Sequence, residues 1–461
     1  MIGIKTTLKK EFMHYQYRER KTLKAKRRYL KRRKGLIKKR KNKSIKHNFF
    51  DFLKKTDFSK NKTKFKILPD ANLALLTIPE RFSLFSNPNE VIKVCSNIYS
   101  LYKDNHVRGI FFDHSKCKEL GIGASSLLDV FVLNLDKYKE NKKINYILRG
   151  QLPKDPNVNS VLHVSGLLKS LDLVDSEIEK QIEESEDVKV LNMIKGGRNT
   201  PTMIVDKSSD SGSVSTTIGK YFDECFQNQG LKLTDKGLHL VCQLIAEVID
   251  NCSLHSGQFC QWFALGNYFK MVNENGECNI TIFNFGQTIY EGMKQNLTDE
   301  KIKDDSLKSE MRKSLEELTS IHMKSNFFSE KWNEELLWTL YAIQDGVSSV
   351  RSEKDPDRGN GTVQLISAFQ EIGGTLNDFE SEMSIISGRS CIKFTEDYKL
   401  VDQRKNENES RQIIAFNKEN DLRIKPDRRN VSKLDYYFPG TIITMKFYID
   451  RSFISQRKNE V

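Results

Sequence analysis

A glutamate and an asparagine stand one helical turn apart near the middle of the chain. The segment from residue 238 to residue 251 carries apolar residues at helical spacing, and Glu247 precedes Asn251 by four positions. Side chains at i and i+4 lie on one face of a helix, so the pattern predicts that these two converge on one ligand. A carboxylate can orient or deprotonate water, and an amide oxygen suits Mg²⁺. An amphipathic helix with incidental polar residues is the other interpretation.

Two glycine-containing segments follow this helix in the sequence. Residues 278–289 alternate in hydrophobicity up to Gly286, which predicts a strand that ends in a glycine turn. Residues 357–366 place Gly359 and Gly361 directly before an apolar run, which predicts a glycine loop at the start of a helix. Backbone N–H groups and the helix dipole bind phosphate at such a position. A loop that only caps the helix is the usual alternative.

Taken in order, these segments resemble the nucleotide-binding boxes of the GHKL superfamily. This superfamily includes gyrase-type topoisomerases, Hsp90 chaperones, histidine kinases and the MutL mismatch-repair proteins. The resemblance rests on residues 247–251, 284–289, 357–362 and 438–447. It implies an ATP site that uses Mg²⁺.

The resemblance also implies a role for each matching residue. Asn251 would coordinate the Mg²⁺ held by the nucleotide phosphates, and Glu247 would be the catalytic residue that orients or deprotonates the attacking water. Asn284 would accept a hydrogen bond from the adenine amino group, as a neutral replacement for the family's aspartate, and Thr288 replaces the second glycine of the box. The remaining nucleotide-binding residues would be Gly286, Ile289, Arg358, Gly359, Gly361, Thr362 and Thr441.

Residues 297–349 are highly charged and helical in pattern. The resembled family has its ATP lid in this interval, so Arg351, Lys354 and Arg358 are candidates for contact with the γ-phosphate. No helix pair with an acceptor histidine precedes the ATPase segment, because His239 lies inside the helix itself. We therefore do not expect autophosphorylation on histidine.

The first half of the chain alternates between strand and helix patterns, which predicts a small α/β sandwich. The strands are expected near residues 73–79, 107–113 and 144–148, and the helices near residues 88–103, 125–135 and 158–171. This order resembles the STAS domains of bacterial anti-anti-sigma factors, in which a serine before a helix accepts phosphate. Ser125 or Ser126 is the nearest match, and a serine that caps the helix is the alternative.

The charge is concentrated at the start of the chain. The 461 residues carry a formal net charge of +14, and this length suits two folded units with extensions. Residues 1–48 contain 13 Lys and 7 Arg against two Glu, a net charge of +18, so the rest of the chain carries −4. We expect this tail to bind nucleic acid through phosphates, with a solvated extension as the alternative.

Cysteine usage and hydropathy favour a cytoplasmic protein without a membrane partner. The eight cysteines form no C-x-x-C pair and fall in apolar segments, which favours reduced thiols. No apolar run approaches the roughly 20 residues that cross a bilayer, and the first residues lack the apolar stretch of a signal peptide.

The sequence thus predicts an α/β (α+β) protein in four parts. These are a basic extension at residues 1–50, a STAS-like regulatory domain at 51–175, a linker at 176–215 and a GHKL-type ATP-binding domain at 216–455. The last is expected to be an α/β sandwich with a mixed sheet, helices on one face and an ATP lid.

Three functions remain open from the sequence. The first is a Mg²⁺-dependent ATPase switch coupled to the STAS-like domain and the basic tail. The second is a protein serine kinase of the anti-sigma-factor type, and the third is a non-enzymatic adaptor with a degenerate nucleotide pocket. ATP hydrolysis is the preferred expectation, with a protein partner at the STAS-like domain and a homodimer as further expectations.

Overall fold

A computed structural model describes most of the chain from residue 49 onward. The described ranges are residues 49–69, 71–164, 188–197, 211–255, 261–271, 274–298, 306–323, 332–347, 361–376, 379–406 and 409–456. The basic tail at residues 1–48, with its expected nucleic-acid partner, lies outside them.

The first layer of the fold alternates strands with helices. Its elements are α1 (Phe49–Lys54), a 3₁₀ turn (Asp57–Lys60), β1 (Lys66–Leu68), β2 (Leu73–Thr77), β3 (Arg81–Phe82), α2 (Pro88–Lys103), β4 (Gly109–Asp113), β5 (Glu119–Leu120), α3 (Ile122–Asn141), β6 (Ile147–Gln151) and α4 (Pro156–Val164). Strands β2, β4 and β6 pair in parallel, and β1 pairs antiparallel to β2. Parallel neighbours need crossover connections, which α2 and α3 supply. The predicted α/β class is confirmed.

The rest of the chain builds a larger sheet and a second set of helices. Its elements are β7 (Val188–Gly197), α5 (Ser211–Gln227), β8 (Leu231–Leu233), α6 (Asp235–His255), β9 (Gln261–Met271), β10 (Glu274–Phe285), α7 (Ile289–Thr298), α8 (Ser306–Met323), α9 (Glu334–Ala342), α10 (Gly361–Ile372), β11 (Gly373–Leu376), β12 (Phe379–Glu380), β13 (Glu382–Phe394), β14 (Val401–Asn406), β15 (Glu409–Ile413), β16 (Val431–Ile449) and β17 (Ile454–Gln456). The strand order is β12-β11-β16-β10-β9-β7, and β13 also pairs with β16. These described pairings are all antiparallel, so the mixed sheet is the smaller one and not the larger one as expected.

The larger sheet carries helices on both faces, whereas the sequence predicted helices on one. Successive side chains of a strand point to opposite faces. Along β10, Ile280 and Ile282 belong to the core formed with α5, α6 and α10, and Phe283 and Phe285 belong to the core formed with α1 to α4. The first layer therefore covers the second face of the larger sheet. This sheet face and the first layer share the core that contains Phe283 and Phe285.

Part of the expected linker is sheet. Strand β7 pairs antiparallel with β9, and α5 begins at Ser211. Residues 165–187 and 198–210 lie outside the described residues.

Two glycines with positive φ lie at bulges within strands. Strand β13 runs through Ser387 and Gly388, and its register with β16 shifts at Gly388, whose φ is +61°. In β10, the register shifts beside Gly276, whose φ is +78°, and the hairpin pairs Met271 with Glu274. An extra residue in a strand produces such a shift, so both glycines lie within strands.

Among the described residues, no helix is long and apolar enough to cross a membrane. Seven cysteines lie in the described ranges, and all are buried except the half-buried Cys242.

Candidate functional site

Helix α6 presents Glu247 and Asn251 from the face beside its buried stripe. Val241, Ile245 and Val248 are at most 1% exposed and anchor the helix in the core. Glu247 and Asn251 remain half-buried. The predicted helix is confirmed, and the i, i+4 spacing puts the two polar side chains on one side of it.

The start of α10 lies against these two side chains. A Cβ on Gly361 would lie 2.7 Å from Oε2 of Glu247 and 3.7 Å from Oδ1 of Asn251. The first N–H groups of a helix have no intrahelical acceptor, so the carboxylate and the amide oxygen face a helix end that attracts anions. Thr362 lies in the same turn and is half-buried. The structure thus brings together residues that are more than 100 positions apart in the sequence.

Asn284 lies on the same side of the sheet as α6. Its side chain is 3% exposed, and Oδ1 accepts a hydrogen bond from the thiol of Cys252 at 3.5 Å. Cys252 directly follows Asn251 on α6, so the end of this helix contacts the strand. Across the sheet, Asn284 pairs with Thr441 of β16. No local pattern predicts this contact of Cys252, because it depends on the packing of α6 against β10.

Strands β10 and β16 approach each other closely where both reach a glycine. The N–H of Gly286, whose φ is +156°, donates to the carbonyl of Pro439 at 3.1 Å. A Cβ on Gly440, whose φ is +150°, would collide with the backbone carbonyl of Asn284. A residue with a side chain would therefore push the two strands apart beside Asn284.

Ser387 connects three parts of the site. This fully buried side chain accepts a hydrogen bond from the N–H of Ile289 at 2.9 Å. Its Oγ also lies 3.1 Å from the carbonyl of Gly440, to which it donates, and 2.9 Å from Oγ1 of Thr441. No local pattern in the sequence singles out Ser387, because its contacts depend on the pairing of β13 with β16. A single hydroxyl thus fixes the start of α7 relative to β16.

Thr288 caps α7. Its N–H donates to Oε2 of Glu291 at 3.0 Å, and its Oγ1 accepts from the N–H of Glu291 at 3.1 Å, which is the reciprocal arrangement of a capping box. The other carboxylate oxygen of Glu291 accepts from the hydroxyl of Tyr437 at 2.6 Å. Burial, followed by the nearby Glu291 carboxylate, raises the pKa of Tyr437 above its ordinary value, so this hydroxyl stays a donor. Helix capping is therefore the reason for a threonine where the resembled box has glycine.

The described part of the expected lid interval is packed. Leu315 of α8 and Leu337 of α9 are buried in the core, and Nε1 of Trp338 donates to Oγ1 of Thr319 at 3.1 Å. Arg358 and Gly359, as well as Arg351 and Lys354, lie outside the described residues.

The two serines of the first layer are interior residues of α3. The N-cap of this helix is Gly121 and its first residue is Ile122, so neither Ser125 nor Ser126 is the capping residue. The capping interpretation is therefore wrong. The two serines are 3% and 2% exposed. Both hydroxyls therefore lie in the interior between the first layer and the larger sheet.

The oxygen donors at α6 suit a hard cation that is shared with phosphate. Among the described residues, no group of three or more His, Cys, Asp or Glu side chains could hold a metal ion by itself. Mg²⁺ usually takes one or two protein oxygens and fills its other positions with water and phosphate oxygens. The Asn251 amide, beside a carboxylate and a phosphate-attracting helix end, fits that kind of site.

No protein-family model, curated protein or solved structure matches the chain.

Proposed function

We propose that the protein binds ATP together with Mg²⁺ and acts as a slow ATPase switch of the GHKL type. The observation that carries this proposal is the meeting of Glu247, Asn251 and the start of α10 at Gly361. A carboxylate can activate water, an amide oxygen can ligate Mg²⁺, and a helix N-terminus can bind phosphate. Together these groups suit hydrolysis of a Mg²⁺-bound nucleotide.

The phosphates would lie at the start of α10. Backbone N–H groups of Gly361 and Thr362 would donate to them, aided by the helix dipole. The side-chain oxygen of Asn251 would hold Mg²⁺, and the bound ion would offset the negative charge of the phosphates. Arg358 and Gly359, in the segment directly before α10, complete the proposed phosphate contacts.

The adenine would lie beside Asn284 and Thr441. Oδ1 of Asn284 already accepts from Cys252, and an amide oxygen has a second lone pair for the adenine amino group. Gly286 and Ile289 would shape this end of the site, because their backbone groups contact β16 and β13. The neutral amide predicts a weaker contact than an aspartate would make.

Glu247 would orient or deprotonate the attacking water. The competing function is a protein serine kinase, in which a protein hydroxyl replaces that water. Ser125 and Ser126 are buried and lie on the opposite side of the larger sheet, so they do not suit the acceptor role. A separate protein would then have to supply the hydroxyl.

The basic tail adds a proposed nucleic-acid partner. Twenty basic residues among the first 48 cannot pair with two glutamates, so phosphates are their natural counterions. Binding of a generic RNA should fall steeply with salt and be lost on deletion of residues 1–48. Full affinity after that deletion would place the binding on the folded body. A cytoplasmic location, a protein partner at the first layer and a homodimer belong to the same proposal.

Calorimetry of the full chain with ATP, with and without Mg²⁺, tests the proposal. Asn251→Ala should weaken binding chiefly when Mg²⁺ is present. The control is Asn134→Ala, which changes a half-buried helical asparagine of the first layer. Equal affinity of wild type and Asn251→Ala with Mg²⁺ would remove Asn251 from the site, and no ATP binding by wild type would leave the adaptor function. With γ-labelled ATP, free phosphate indicates an ATPase and labelled protein a kinase.

A further inference from the structure

A cavity of about 390 Å³ lies between the first layer and the larger sheet. One wall is formed by residues 83–86 and by the start of α3 at residues 121–124, and the other by β9, β10, β13 and β16. The sheet residues that face it alternate with those that face α6. The cavity is therefore on the opposite side of the sheet from Glu247 and Asn251.

The sheet wall is polar, although it is part of a core. Asn267, Asn279, Lys446 and Glu382 form one row across four neighbouring strands. Lys446 pairs with Glu382 at 2.9 Å, and Asn279 donates to Glu277 at 2.7 Å. These half-buried side chains therefore satisfy each other's hydrogen-bonding groups.

Asn267 differs from its neighbours in the row. It lines the cavity and is only 3% exposed, yet its Oδ1 has no hydrogen-bond partner. A buried amide oxygen without a donor destabilises the folded state. A ligand with an N–H or O–H group in the cavity would supply that donor.

The facing wall offers donors without acceptors. Helix α3 has 20 residues, and its N-cap, Gly121, has no side chain to satisfy the first N–H groups. A Cβ on Gly123 would collide with the side chain of Thr281, so the start of the helix lies directly on the sheet. The partial positive charge at this helix end favours an anionic group.

Each of the three carboxylates that line the cavity already interacts with another side chain. Glu277 accepts from Asn279 and from the hydroxyl of Tyr448, and Glu119 accepts from Ser86 at 2.9 Å. The third carboxylate, that of Glu382, pairs with Lys446. The second lysine that lines the cavity, Lys393, adds a positive charge to its wall.

We propose that this cavity binds a small organic anion, a carboxylate or a phosphate ester, that also carries hydroxyl or amide donors. The anionic group lies at the N-terminus of α3, and a donor group of the same molecule reaches Oδ1 of Asn267. The volume falls in the range of small-molecule sites. The site is independent of the proposed ATP site, since it uses the other face of the sheet.

Binding to the full chain without ATP tests this proposal. The probes are gluconate and glucose 6-phosphate, which carry hydroxyls with a carboxylate or a phosphate, and glucose is the neutral control. We expect at least one anion to bind and to raise the thermal midpoint, and glucose to do neither; the anion that binds identifies the preferred head group. No binding of either anion at 10 mM, or equal binding of glucose, would overturn the proposal.

Asn267→Leu provides the matching variant. It removes the buried amide oxygen, so the thermal midpoint without ligand should stay the same or rise, while affinity for the anion falls at least tenfold. Asn97→Leu is the control, because Asn97 is also buried with an unpartnered Oδ1 but lies outside the cavity. Lys393→Ala, a change of one lining charge, should weaken anion binding without loss of fold. Unchanged affinity in both Asn267→Leu and Lys393→Ala would contradict the site.

Discussion

Oε2 of Glu247 lies 2.7 Å from the point that a Cβ on Gly361 would occupy. Helix α10 can begin beside this carboxylate because its first residue has no side chain. The first N–H groups of a helix have no intrahelical acceptor, and Gly361 places those of α10 beside Asn251. The same contact makes the glycine a sensitive point for ligand binding.

Gly361→Ala should therefore weaken ATP binding. The added methyl group would lie between the first turn of α10 and the side chains of Glu247 and Asn251, where the phosphates and Mg²⁺ are proposed to bind. We therefore expect a loss of about tenfold in affinity, equal to about 1.4 kcal/mol. Gly212→Ala is the control, because Gly212 is the second residue of α5 and a Cβ there would meet nothing within 4 Å. Calorimetry that finds the same loss in both variants, or in neither, would contradict the role of this contact.

Glu247→Gln should retain nucleotide binding and lose turnover. The amide keeps the shape of the side chain but cannot take a proton, and a positioned general base contributes roughly 10²–10⁴-fold. Release of free phosphate measures the effect, with Glu224→Gln on the exposed side of α5 as the control. An unchanged rate in Glu247→Gln would exclude Glu247 as the base and leave the binding site intact.

Ser387→Ala should destabilise the fold and disturb the adenine end of the site. The change leaves the N–H of Ile289 without its acceptor and removes the contact with Thr441, which should cost about 1–3 kcal/mol. Ser390→Ala is a matched control, because Ser390 is buried in the same strand and its Oγ has no hydrogen-bond partner. Denaturant unfolding should show a clear loss for Ser387→Ala and little change for Ser390→Ala. Equal stability of the two variants would contradict the connecting role.

Acid should weaken the fold partly through His114. Burial lowers the pKa of this imidazole from 6.5 to about 4, so the unfolded chain binds the proton at a higher pH than the folded protein does. The stability that the neutral imidazole contributes to the free energy of unfolding is fully present above pH 6.5. It falls as the pH drops from 6.5 to 4, and it levels off below pH 4. The shift corresponds to at most about 3 kcal/mol.

His114→Gln should remove this part of the pH dependence. Urea unfolding at pH 7 and pH 4.5 compares the variant with wild type, and His106→Gln changes an exposed histidine as the control. If wild type and His114→Gln lose the same stability between these two pH values, the histidine has no part in the acid sensitivity.

The elements that depend on local signals could be predicted from the sequence. The helix expected at residues 88–103 is α2 (Pro88–Lys103), since a proline at the first position and the apolar spacing are both local features. The helix that carries Glu247 and Asn251 is predicted in the same way by the spacing of its apolar residues.

Contacts that depend on strand register could not be predicted. Ser387 meets Thr441 across 54 positions because β13 pairs with β16, and no local pattern fixes that pairing. The packing of the first layer on the second face of the larger sheet could not be predicted either. The alternating pattern of β10 shows that both faces are apolar, but it does not indicate which layer packs on each face.

Phe285 lies in the strand that carries Asn284, and its ring is 4.9 Å from Phe49 and 5.7 Å from Phe131. Removing residues 49–164 would expose this aromatic sheet face, including Phe263 and Phe283, to water. A fragment that begins after residue 164 therefore lacks most of this core. We expect such a fragment to self-associate through the exposed aromatic face of the larger sheet.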